Sequence, residues 1–159
     1  MAEDGRAVFA LRDWAERVGW GGTIRKAAMQ INDPAVIAEA RATFDRYEAA
    51  LMANDTATLD EIFWADPRTV RFGIPEIGFG HDAIKAFRAT VAKYAPRIQK
   101  RIEITSFGSD FACTHLIYER VNSGAIGRET KIMVRFADGW HVVSAHVSLL
   151  AAADEMKKK

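Results

Sequence analysis

A single cysteine, Cys113, occurs in 159 residues, so no disulfide can form within the chain and no multi-cysteine zinc site can be built. That usage suits a reducing cytoplasm, the expected location. Cys113 stands in an apolar, strand-like run, where cysteine usually behaves as a small hydrophobe rather than a nucleophile. Neither charge dominates: 22 basic against 21 acidic residues leave a net charge of +1, too weak a field to recruit nucleic acid or an anionic membrane. No apolar run approaches the length that crosses a bilayer. His81, His115, His141 and His146 show no HExxH or comparable spacing, so metal binding has no motif behind it. The glycines at 73–80 match no Walker loop and lack the strand–GxGxxG–helix context of a dinucleotide site.

What is present is ordinary for a soluble domain: 49% apolar and 27% charged residues, in a length that suits one domain with a substantial core. Residues 1–28 do not resemble a signal peptide, because the run Ala7–Leu11 is short and Asp13, Glu16 and Arg17 come directly after it. Val8, Leu11, Trp14 and Val18 make one stripe of a short helix, so 1–28 reads as an N-terminal extension. The domain is expected over 29–152, followed by a basic tail at 153–159 whose Lys157-Lys158-Lys159 is solvated.

Asn32-Asp33-Pro34 is a strong helix start, a capping side chain followed by proline in the first turn. The helix runs to about Asn54, with Ile37, Ala40, Phe44, Tyr47 and Leu51 on one apolar face and Arg41, Asp45, Arg46 and Glu48 largely elsewhere. Asp55 or Thr56 caps a second helix over 57–64. His81 or Asp82 caps a third that reaches about Tyr94, before Pro96. Four strand-like runs come next, at 98–107, 111–121, 129–136 and 140–150, the last two joined by Asp138-Gly139, a hairpin signal. Helices first and strands afterwards predict an α+β fold, three helices packed on one face of a curved antiparallel sheet. Such a sheet leaves a concavity, the default place for a ligand.

The stretch Phe63–Gly80 is the most unusual. Asp66-Pro67 ends the second helix, and Arg71 then interrupts the β-prone run Thr69–Phe72. Strand alternation sets Arg71 opposite Val70 and Phe72, which taken alone assigns it to solvent. It is either a surface residue, an ion pair with Glu76 or Asp66, or an inward fork suited to a ligand carboxylate. Tyr47 is either a core tyrosine bonded to a backbone carbonyl or a phenol facing the concavity, able to donate or exchange a proton. Arg88, on the edge of an apolar stripe, either snorkels to water or contacts ligand. Trp64 is pocket wall or plain core. His146 stands in phase with Trp140, Val142, Ser144 and Ser148, so an inward face would bring His146 and Ser148 to the concavity. No GxSxG elbow makes a triad of that pair.

Four segments, FDRYEAAL (44–51), FWADPRTVRFG (63–73), FGHDAIKAFRA (79–89) and GWHVVSAHVSLL (139–150), resemble the AtzH-like, oxalurate-catabolism family. That family lies in the nuclear transport factor 2-like superfamily, beside ketosteroid isomerases and SnoaL-like polyketide cyclases. The resemblance spans roughly residues 30–150. It implies a cone-shaped fold, a homodimer joined through the outer sheet face, and hydrolase chemistry on small ureido acids without cofactor or metal. Members of this kind are decarboxylating amidohydrolases of 1,3-dicarboxyurea in cyanuric-acid degradation, with relatives in oxalurate catabolism. Carried over by motif, the catalytic tyrosine matches Tyr47 and the catalytic arginine Arg71, which turns Arg71 inward. Arg71 would grip a carboxylate with help from Arg88, Tyr47 would move a proton, and Trp64, His146 and Ser148 would contact substrate. The extension at 1–28 and the segment RATVAKYAPRIQK (88–100) depart from the family pattern. Two other functions suit such a concavity: a non-catalytic acid-binding or assembly module, and a ketosteroid-isomerase-like enzyme. The isomerase would need an inward carboxylate base and an apolar pocket.

Overall fold

The structure, a computed structural model of the chain, describes residues 29–150. The helix expected within 1–28 and the basic tail lie outside the described residues. Helix α1 (Pro34–Ala53) starts where the Asp33 carboxylate accepts the N–H groups of Ala35 and Val36 at 2.8 and 3.4 Å, with Pro34 in the first turn. It ends at Asn54, which takes the left-handed φ of 55°. Asp55 caps α2 (Thr56–Ile62) by accepting from Thr58 N–H at 3.0 Å. The short strands β1 (Val70–Phe72) and β2 (Ile77–Phe79) form a hairpin, and α3 (His81–Thr90) comes after it. Its N-cap is Gly80 at φ 87°, not His81 or Asp82. Positive φ at the cap suits glycine, and the helix starts without a side-chain cap. It also stops at Thr90, short of Tyr94.

The four long strands are β3 (Arg97–Phe107), β4 (Phe111–Arg120), β5 (Ile126–Phe136) and β6 (Gly139–Leu149). They make the expected antiparallel meander inside a six-stranded sheet of order β2-β1-β6-β5-β4-β3. One pairing departs from the antiparallel expectation: β1 runs parallel to β6, with Arg71 beside Ala145. Strand β2 was not anticipated, because three residues between glycines carry no readable period. The helices pack on one face of this sheet. There Tyr47, Leu59, Phe63, Ile84, Met133 and Val142 form the main core, each large side chain contributing roughly 1.5–3 kcal/mol by leaving water.

Two bulges decide what the inner face carries. In β3 the register shifts between Gln99 and Arg101, so Lys100 is the extra residue. In β6 it shifts opposite the Ile132–Met133 step, leaving Val143 as the extra residue. A bulge inverts strand parity from that point on. Arg97 and Gln99 therefore face the same side as Ile102 and Ile104. On β6, buried Val142 is followed by Ala145 and Val147 on the inner side. His146 and Ser148 consequently face outward, against their in-phase relation to Val142.

Candidate active site

On α1, Phe44, Tyr47 and Leu51 recur at spacings of three and four, and all are buried against the sheet. Glu48 shares that stripe and is only 6% exposed, which corrects its placement among the outward residues. It lies four residues after Phe44 and three before Leu51, a helical neighbour of both. A carboxylate so placed needs partners, and β3 and β5 supply them. Arg97 Nε donates to Glu48 Oε2 at 3.1 Å, while its Nη2 contacts Glu48 Oε1. Arg97 Nη1 reaches Glu129 Oε2 at 3.3 Å. Lys131 pairs with Glu129 and lies 3.8 Å from Glu48.

Lys131 is 1% exposed, and its ammonium sits 3.9 Å from the centre of the Tyr47 ring. Burial drives its pKa well below the usual lysine value against the pull of Glu48, with Arg97, Arg71 and Arg88 adding to the depression. Glu48, Glu129, Arg97 and Lys131 form one interlocked block of two acids and two bases beneath the phenol. The sequence conceals half of it. In β5 the apolar residues Ile132 and Val134 alternate with Glu129, Lys131 and Met133, and the usual rule would send the charged set outward. The structure does the reverse, since Glu129, Lys131 and Met133 are the buried ones.

Above this block lies a hollow of about 310 Å³, walled by side chains from both layers. Tyr47 and Arg71 both line it. Tyr47 is 2% exposed, with its ring 6.2 Å from Phe63, and among the described residues its hydroxyl has no hydrogen-bond partner. Arg71 is buried on the helix-facing side of β1, opposite Val70 and Phe72. Parity held, but the apolar pair lies on the outer face. Arg71 meets Glu76 in an ion pair, and its guanidinium is 5.9 Å from the Phe87 ring centre. Asp66 instead binds Arg68 through two oxygens. Tyr118 completes a wall by laying its ring over Gly127, where any Cβ would collide with it. Arg97 stacks 4.6 Å from that ring. The charged lining comprises Arg71, Lys93, Arg97 and Arg120 against Glu76 and Glu129, four cations to two anions.

The other candidate residues do not line this hollow. Arg88 is 2% exposed rather than snorkelling. Its Nη1 donates to Leu59 O at 2.7 Å and Asp60 Oδ1 at 2.8 Å, and its guanidinium lies 4.3 Å from the Phe63 ring. The Phe63 ring in turn neighbours Tyr47. Two histidines complete the same cap: His81 Nε2 donates to Asp60 O at 2.9 Å and His141 Nδ1 to Glu61 O at 3.2 Å. The last carbonyls of α2 are thus answered one after another, as a helix end shielded from water requires. Trp64 stacks on Phe136 at 5.0 Å and walls a separate, wider cleft. His146 is exposed on the outer face beside Phe72, and Ser148 shares that face. Burial raises the pKa of the Cys113 thiol, which suppresses its nucleophilicity.

A curved open sheet with three helices on one face is the nuclear transport factor 2-like fold. A protein of that fold from Pseudomonas putida KT2440 aligns with a TM-score of 0.66 at 18% identity, over 79% of this chain and 94% of that one. Within the class, the chain belongs to the AtzH-like family, whose sequence model matches residues 29–153. Two solved structures are similar in sequence as well as fold. One, a protein of unknown function from Pectobacterium atrosepticum, is 40% identical with a TM-score of 0.74, over 76% of this chain and 95% of its own. The other, a cystatin-like fold protein from Burkholderia xenovorans LB400, is 38% identical with a TM-score of 0.75, over 79% and 99%. No curated protein matches the chain. No helix among the described residues is long and apolar enough to cross a membrane.

Proposed function

We propose that the hollow is the active site of a cofactor-free, decarboxylating amidohydrolase acting on a small ureido dicarboxylate such as 1,3-dicarboxyurea, or on an oxalurate-like acid. One observation carries this reading: the Tyr47 phenol and the Arg71 guanidinium, from distant parts of the chain, line the same hollow, whose charged lining has a surplus of cations. A dianion answers that surplus. A carboxylate that departs as carbon dioxide loses its charge, so holding it on an arginine would favour the ground state. Arg71 therefore binds the carboxylate that stays. The leaving carboxylate lies toward Tyr47 and the apolar wall of Leu51 and Val147. As the N–C bond breaks, its electron pair returns to nitrogen, carbon dioxide departs, and the Tyr47 hydroxyl supplies the proton that nitrogen takes. Solvent then restores the phenol. The low-dielectric wall strengthens both interactions.

The charged lining speaks against a ketosteroid-isomerase-like reaction, which needs an apolar pocket. The Arg71–Glu76 ion pair favours a second reading, a non-catalytic acid-binding module, because the guanidinium already has a carboxylate against it. Incubating the protein with 1,3-dicarboxyurea, while following carbon dioxide release, separates the two. Turnover should fall at least ~10²-fold in Tyr47→Phe and in Arg71→Met. Saturable binding without product would favour the module. The proposal extends to a homodimer through the outer sheet face, where Ile77 is 75% and Phe79 66% exposed. A monomer in sedimentation at micromolar concentration would remove that part.

A further inference from the structure

Glu76 has no part in the proposed mechanism, yet the fold makes room for it. The β1–β2 connection is closed by Gly73 N–H donating to Glu76 O at 2.9 Å. From there the Glu76 side chain folds back over Gly73 into the hollow. Any Cβ on residue 73 would run into its carboxylate, so glycine is the residue that lets the carboxylate in. The side chain is 11% exposed, and both oxygens are turned from bulk water beside the hollow that Glu76 lines. Apart from the Arg71 contact, neither oxygen has a hydrogen-bond partner among the described residues. The other acidic residue of the lining, Glu129, is shared by Arg97 and Lys131. A carboxylate has about four acceptor positions, and one guanidinium cannot fill them all. Buried acceptors of this kind call for donors.

We propose that Glu76 is a specificity-determining residue: it accepts a hydrogen bond from an N–H of the ligand close to the carboxylate held by Arg71. It thereby selects ureido and carbamoyl acids over carbon-chain acids of the same shape. The inference rests on reading the hollow as an acid-binding site. An N–H on an ionised carboxylate is a charge-assisted bond. A ligand carrying CH₂ in that place would leave the buried acceptor unanswered.

Hydantoate and succinamate differ by a single NH→CH₂ exchange and test this by calorimetric titration. Wild type should bind hydantoate roughly tenfold or more tightly. Glu76→Met, which removes the acceptor, and Glu76→Asp, which withdraws it by one methylene, should each bring the two affinities together. Thermal melting checks that each variant is folded, and Glu76→Asp decides if Glu76→Met is not. Equal binding of the two acids by wild type, or a preference that survives either substitution in folded protein, overturns this proposal alone. Binding of neither acid by wild type overturns the acid-site reading and this proposal with it.

Discussion

The wider cleft, about 510 Å³, and the narrower hollow, about 310 Å³, treat their charges differently. In the cleft, Asp60 is paired with Arg88, Glu61 with Arg46 and Asp138 with His141. Its two histidines hold backbone carbonyls of α2. In the hollow, cations outnumber acids, and Lys93 and Arg120 have no acidic partner among the described residues. Volume alone would have chosen the cleft. Uncompensated charge in a partly desolvated place points instead to the hollow, because it marks where a ligand has binding energy to gain. The same contrast separates Arg71 from Arg88. Both are buried arginines, but only Arg71 faces a space that a ligand can enter.

That contrast can be broken by exchanging the roles of the two arginines. Arg88→Met should cost the most stability, about 3–5 kcal/mol in urea unfolding, since it leaves Asp60 without its partner in a largely buried place. Arg71→Met should cost less, because Arg71 gives up one ion pair whereas Arg88 also gives up its bond to Leu59 O and its place on the Phe63 ring. Equal losses would place both arginines in the scaffold.

Lys131→Met probes the buried charge block. The folded-state pKa of Lys131 lies below the usual 10.5, so between those values the unfolded chain binds more protons. Stability should therefore rise with pH from the folded titration toward about 10.5, where the penalty disappears. Urea midpoints measured from pH 7 upward should show that rise in wild type and lose it in Lys131→Met. Parallel profiles would mean that the ammonium is fully compensated.

Smaller effects belong to the cleft and the turn beside it. His81→Ala should lower stability by about 1 kcal/mol through the lost bond to Asp60 O, without altering ligand binding in the hollow. The Asp66 carboxyl is held down to about 2 by its bonds to Arg68. Its contribution is present above the ordinary 3.8 and lost as pH falls through about 2, so Asp66→Asn should flatten only the acid limb of the stability profile.

The first-turn proline and Asp33 announced α1, the Asp-Gly pair announced the β5–β6 hairpin, and the change of period near Pro96 announced the α+β division. These signals act over a few residues, so they survive without tertiary context. Tyr47 was legible because its helical stripe admits one buried face. Glu48 lies on the same stripe and was missed because a charge was assumed to face water. His146 was assigned with Val142 by strand parity, and the extra residue Val143 reversed it.

By itself the sequence determined the three described helices, the long strands and the family, and marked Tyr47 and Arg71 as candidates. Tertiary structure decided which charges are buried, which arginine lines the hollow and which side of the sheet each strand residue takes. The physical reason is range. Capping, turn and periodicity energies are local, whereas burying Glu48, Glu129, Arg97 and Lys131 is tolerable only when all four meet, and no one segment of the chain records that meeting.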